Sequence, residues 1–192
     1  MANTYLLSDG AKRYLCCYYQ ILDGMIQGVS AARLTQSISH NYIVQLLPQQ
    51  RAAVRLCRNL LEVSNDSSLR CLAQRIAARE TEAAEALEAE LDAAGQLTSP
   101  QMDLRLFQRR AELIAREMYA QMGAVPEGNQ VDVLFLRQMI PHRQGGLRAA
   151  RTALQYEVSA GLAPLLRSAI DAQSREVRQL RALLSQRGWQ RL

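Results

Sequence analysis

The sequence predicts an all-α protein made of two three-helix units, and three observations carry that prediction. Six stretches place apolar residues at helical spacing, and none reads as a credible strand. The 192 residues include only 10 Gly and 5 Pro, while Ala, Leu, Arg, Gln and Glu abound, which suits long helices. Finally, the two halves align without a gap at an offset of 93 residues, matching Met25 with Met118, Gln45 with Gln138, Pro48 with Pro141 and Arg55 with Arg148. Leu61, Leu69, Leu72 and Leu87 likewise match Leu154, Leu162, Leu165 and Leu180. Shared leucines mean little, but a proline inside a helix costs about 3 kcal/mol, so its recurrence at the same place means more. The chain reads as one helical domain over 1–192, with internal repeats at 1–95 and 96–192.

In order, the first helix is expected from about Thr4 to Val29, with apolar positions Leu7, Leu15, Tyr18, Tyr19, Leu22, Met25, Ile26 and Val29. A second runs from Thr35 to Leu61 and contains Pro48. Asn65-Asp66-Ser67-Ser68 supplies N-cap residues for a third, whose stripe is Leu69, Leu72, Ile76, Ala83, Leu87 and Leu91 and which Gly95 ends. Thr98-Ser99-Pro100-Gln101 opens a fourth. There, either Ser99 is the N-cap with Pro100 first in the helix, or Thr98 and Gln101 form a capping box. The fourth helix reaches Met122, the fifth spans Gln130 to Glu157 around Pro141, and the sixth runs from Leu162 to Arg187 before Gly188. At Pro48 and Pro141 a kink or break is expected, turning residues 49–50 and 142–143 toward the interior or mouth of a bundle formed by the second, third, fifth and sixth helices.

Composition limits the function. With 48% hydrophobic and 21% charged residues the chain describes a globular protein, not a disordered one. No apolar run nears the roughly 20 residues that span a bilayer, and the N-terminus lacks a basic segment followed by an apolar one. The expected location is therefore the cytoplasm, with four reduced cysteines. The net charge of +5 is uneven: residues 1–98 hold 9 Lys/Arg against 10 Asp/Glu, and residues 99–192 hold 14 against 8. Either the basic half meets nucleic acid or an acidic partner, or its arginines lie on the acidic run Glu80, Glu82, Glu85, Glu88, Glu90, Asp92 of the same molecule. The arginines are dispersed and lack interleaved aromatics, so nucleic acid is the weaker reading.

The chemistry-bearing stretch is Phe135-Leu136-Arg137-Gln138-Met139-Ile140-Pro141-His142-Arg143. Met139 and His142 fall three apart, so one helical face carries a thioether and an imidazole. In the first half Leu46 and Gln49 stand at those positions.

This stretch, with the later Ala172-Gln173-x-x-Glu176-Val177-x-x-Leu180, resembles the helical family known as domain of unknown function 305. That family's signature is Met-Ile-Pro-His-His followed by a small residue and a further methionine. The resemblance covers essentially the whole chain. It implies a ferritin-like four-helix bundle with additional helices, and a link to copper, which some members bind through histidines and methionines. The departures fall on the ligands. Arg143 replaces the second histidine and Ala149 the following methionine; Gln49, Gln50 and Leu56 stand at the matching positions of the first half. Leu87 and Leu180 replace the late methionines.

Met139 and His142 are thus the candidate metal ligands, with Met118 as an additional donor. Thioether and imidazole suit Cu(I), whereas amides and a guanidinium do not, so any copper would be held weakly. Each candidate also has a plain structural reading. His142 could be a surface or capping histidine, and Met25, Met118, Met122 and Met139 core filler. His40 is expected to face solvent. Cys57 and Cys71 flank one hairpin, as small buried hydrophobes or as a facing pair. Cys16 and Cys17 point about 100° apart on a helix and cannot share an ion. Glu80 and Gln173, matched at the offset, either form a small polar core reached by Arg143 or Gln50, or lie at the edge of their stripes.

No Glu-x-x-His pair, phosphate-binding glycine loop or nucleophile with a nearby base is present, so the protein is expected not to be an enzyme. The leading expectation is a non-enzymatic bundle of copper-related ancestry with a degenerate metal site. The alternatives are a structural or protein-interaction bundle without metal, homo-oligomeric or not, and a basic nucleic-acid-associated protein.

Overall fold

The computed structural model describes residues 6–188, and Thr4, where the first helix was expected to begin, lies outside the described residues. Six helices follow one another: α1 (Asp9–Ser30), α2 (Ile38–Leu61), α3 (Ser67–Gln96), α4 (Gln101–Gly123), α5 (Val131–Ala153) and α6 (Leu162–Gly188). Their starts pair as Asp9 with Gln101, Ile38 with Val131 and Ser67 with Leu162, close to the 93-residue offset. No strand occurs among the described residues, and none of their helices is long and apolar enough to cross a membrane.

Side chains fix the first three helix starts. Ser8 caps α1 by accepting from the amide of Ala11, Ser37 caps α2 through His40, and Asp66 caps α3 through Leu69. At α4 both expected caps are overturned. Pro100 holds the N-cap position with no side-chain bond, and the Ser99 hydroxyl accepts from the amide of Ile38 at 3.0 Å, serving α2 instead. Four boundaries also move, the first being that α1 starts at Asp9, with residues 6–8 outside the helix. Ser37 stops α2 from reaching back to Thr35; α5 ends at Ala153, in a turn over 154–156; and α3 runs past Gly95 to Gln96, because that glycine has no positive φ to end it.

Neither proline breaks its helix: α2 continues through Pro48 and α5 through Pro141. The residues that follow face inward as expected, with Gln49, Gln50, His142 and Arg143 all buried. Gly28 of α1 permits this packing, since a Cβ there would lie 2.8 Å from the Pro48 ring.

Around the centre, α2 packs on α3, α3 on α6, α6 on α5, and α5 on α2, while α1 lies on α2 and α4 on α5. The apolar core comes in two clusters. One gathers Leu56, Leu60, Leu69, Ile76, Leu134, Met139 and Leu180 with the inner face of α1; the other gathers Ile38, Tyr42, Leu87, Ala153, Leu162 and Leu166 with Phe107 of α4. Along α2, α3, α5 and α6 polar side chains are buried between the clusters: Gln49 and Gln50, Glu80, His142 and Arg143, Gln173 and Glu176. A buried polar layer therefore divides the core at mid-height.

Candidate functional site: a buried ion cluster

Arg143 is the largest side chain of this layer and only 1% exposed. Helical spacing puts it on the face of α5 that also carries Met139 and Gly146, and that face looks toward α3 and α6. Its Nη1 is 2.6 Å from Oε1 of Glu80 on α3, and its Nε is 3.2 Å from Oε2 of Glu176 on α6. Arg79, next to Glu80, closes the chain with Nη1 2.9 Å from Oε1 of Glu176. Two guanidiniums and two carboxylates balance within the cluster, and three of the four side chains are nearly or wholly cut off from water. Burial opposes the charge on Arg143, but Glu80 and then Glu176 more than offset it and hold its pKa above the ordinary arginine value. Glu176 is shifted up, mainly by burial, with Arg143 and Arg79 opposing.

His142 faces a different neighbour. Its Nε2 lies 3.2 Å from the carbonyl oxygen of Gln49 on α2, the residue 93 positions earlier. A residue that meets its own counterpart at the repeat offset marks where the two halves face each other. Burial, and then the charge of Arg143, push the imidazole down to about 3, so it is neutral at physiological pH. Neutral imidazole with Nε2 beside a carbonyl places its hydrogen on Nε2 and its lone pair on Nδ1, which is buried without a partner.

That lone pair is the one feature favouring a metal, since ligating histidines usually donate their other nitrogen to such a carbonyl. The rest of the donor set does not fit copper. Met139 is fully buried in the apolar cluster that also holds Leu56 and Leu180, and Met118, on α4, is packed so closely on bare Gly145 that a Cβ there would sit 2.5 Å from its sulfur. The adjoining Arg143 carries a fixed positive charge, already paired, that acts on His142. Among the described residues no three His, Cys, Asp or Glu side chains stand close enough to hold an ion.

Of the residues singled out from sequence, the structure joins Glu80 with Arg143, so the polar-core reading holds over the stripe-edge one. The glutamine half of that group differs: Gln173 lies over Gly146, where a Cβ would come 2.9 Å from its Oε1, and neither it nor Gln50 has a partner for that oxygen. Sequence reasoning missed Glu176 and Arg79 as members, although Glu176 lies one helical turn beyond Gln173 and Arg79 adjoins Glu80. It also missed Gln138, whose Oε1 accepts from the buried hydroxyl of Tyr14 at 2.6 Å and ties α1 to α5.

Three other expectations change. His40 is half-buried with an unpartnered Nδ1 instead of facing solvent, because the C-terminal end of α3 at Gly95 lies beside it. Cys57 is buried while Cys71 is exposed. Of the acidic run, only Glu80 ion-pairs with an arginine of the basic half among the described residues; Glu88 pairs with Arg51 of its own half, and Glu90 accepts from Ser159.

Comparison with known proteins adds the following. A family model described as "Domain of unknown function (DUF305)" matches residues 39–184. Among solved structures, the crystal structure of a DUF305 fragment from Deinococcus radiodurans is similar, with a TM-score of 0.56 and 24% identity over 78% of this chain and 96% of that one. At that identity the likeness bears on the fold alone. No curated protein matches the chain.

Proposed function

We propose that this chain, which belongs to the DUF305 family, is a non-enzymatic helical bundle in which an internal guanidinium has taken over from a copper site. The observation that supports the reading is Arg143. It occupies the position of the second histidine in the family pattern, lies buried at the bundle centre, and satisfies its charge with Glu80 and Glu176. A bound cation there would meet a positive charge already in place. The donors left over, one imidazole and two thioethers in apolar packing, are too few to outweigh that repulsion.

Cu(I) competition against a chelator tests this. The variant with all four cysteines changed to serine removes thiolates that would bind Cu(I) on their own account. The expected result is no stoichiometric uptake by that variant. Tight binding that survives cysteine removal and disappears in His142→Ala would overturn the proposal. The reverse substitutions Arg143→His, Gln49→His and Gln50→His are expected to raise affinity.

A further inference from the structure

A cleft of about 230 Å³ opens between α2, α3 and α6 beside the ion cluster. Its origin is legible in the 93-residue offset. The four charged residues of the cluster are Arg143, Glu80, Glu176 and Arg79, and their counterparts are Gln50, Gln173, Ala83 and Ala172. All four counterparts line the cleft. Where one half of the layer holds two guanidiniums and two carboxylates, the other holds two amides and two methyl groups. The cleft is the volume lost by that truncation.

What remains is a shaped site. Gln50 and Gln173 are 4% and 7% exposed, and the Oε1 of each lacks a hydrogen-bond partner. Buried amide oxygens without partners are rare enough to call for an explanation. The terminal torsion of glutamine is soft, so either amide atom can turn toward the cleft. Each side chain then offers one donor and one acceptor. Leu46, Leu87, Leu165 and Leu166 supply apolar walls. Of the charged residues on the lining, Glu80 is paired with Arg143 and Arg79 with Glu176, and Glu82 is exposed to water.

We infer that the cleft binds a small neutral molecule with a carboxamide- or urea-like head on a short apolar body. A planar head with both donors and acceptors matches two glutamine amides whichever way they are turned, and the body replaces the missing side-chain volume. A carboxylate would leave the amide oxygens unpaired, and an ammonium would leave unpaired any amide hydrogen turned toward it. The inference stands apart from the copper reading, since its hydrogen-bonding groups are Gln50 and Gln173 and not His142 or the methionines.

The probe is cyclohexanecarboxamide, titrated into the full chain and followed by backbone amide NMR shifts, with cyclohexanecarboxylate and methylcyclohexane as controls for the head group. Saturable shifts centred on Gln50, Ala83, Ala172 and Gln173 are expected, with binding at least tenfold tighter than for either control. Gln50→Leu/Gln173→Leu is expected to weaken carboxamide binding at least tenfold, and Ala83→Met/Ala172→Leu, which fills the cleft, to abolish binding of all three. The inference is overturned if the carboxamide gives no saturable shift, if its shifts map elsewhere, or if either folded double variant binds it as the wild type does.

Discussion

At the scale of single residues, burial decides which chemistry is silent. His142 is neutral in the fold with a pKa of about 3, against about 6.5 in an unfolded chain. Between those values the unfolded state takes the proton and the native state does not. The contribution is therefore fully present above pH 6.5 and is lost as pH falls toward 3. Denaturant unfolding at pH 7.5 and pH 5 is expected to show wild type losing about 2 kcal/mol that His142→Gln does not lose. Arg143, the charge that acts on His142, is present in both proteins, so the difference between them isolates the imidazole; equal pH dependence would contradict the assignment. Cys57 is the parallel case among thiols. Burial pushes it up to about 12, despite the opposing effect of Arg143, while Cys16, Cys17 and Cys71 are exposed. Iodoacetamide is expected to modify three cysteines readily in the native protein, and the fourth only on unfolding, as mass spectrometry of timed samples would report.

Among the elements, helix-period apolar stripes and cap residues located all six helices, and the errors fall where a local signal serves a distant partner. Ser99 looks like the cap of its own helix but bonds the amide of Ile38, a tertiary contact invisible in local sequence. The prolines break neither helix, while the residues that follow each of them are buried as expected. Gly28 shows what that packing requires. Glycine to alanine normally adds up to about 1 kcal/mol of stability inside a helix, and Gly24→Ala should do so, since its nearest neighbour is the flexible end of Arg55 at 3.8 Å. At Gly28 the neighbour is the rigid Pro48 ring, and overpacking should reverse the sign, with Gly28→Ala losing about 1–3 kcal/mol. Thermal unfolding of the two variants separates the cases; equal shifts would mean that α1 does not depend on close approach to Pro48.

At the scale of the whole molecule, the 93-residue offset is the most informative feature of the sequence. It pairs the helices, places His142 against Gln49, and relates a charged half-layer to its truncated counterpart; we attribute it to duplication of a three-helix unit. The ion cluster was only half legible. Arg143 and Glu80 could be suspected because both interrupt apolar stripes, but Glu176 and Arg79 lie at positions where a helix surface commonly carries charge. Only the packing of α6 against α3 and α5 brings them in. A buried cluster of this kind is not by itself stabilising, since desolvation offsets much of the attraction, but removing one member leaves the others buried and uncompensated. The most direct test of an internal guanidinium at the bundle centre is therefore urea unfolding of Arg143→Met beside wild type. Because Glu80 and Glu176 would lose their central counter-charge, the midpoint should fall by the equivalent of about 3–5 kcal/mol, with much of that loss recovered in Arg143→Met/Glu80→Gln/Glu176→Gln. A loss below about 1 kcal/mol, or a triple variant no better than the single one, would contradict the account.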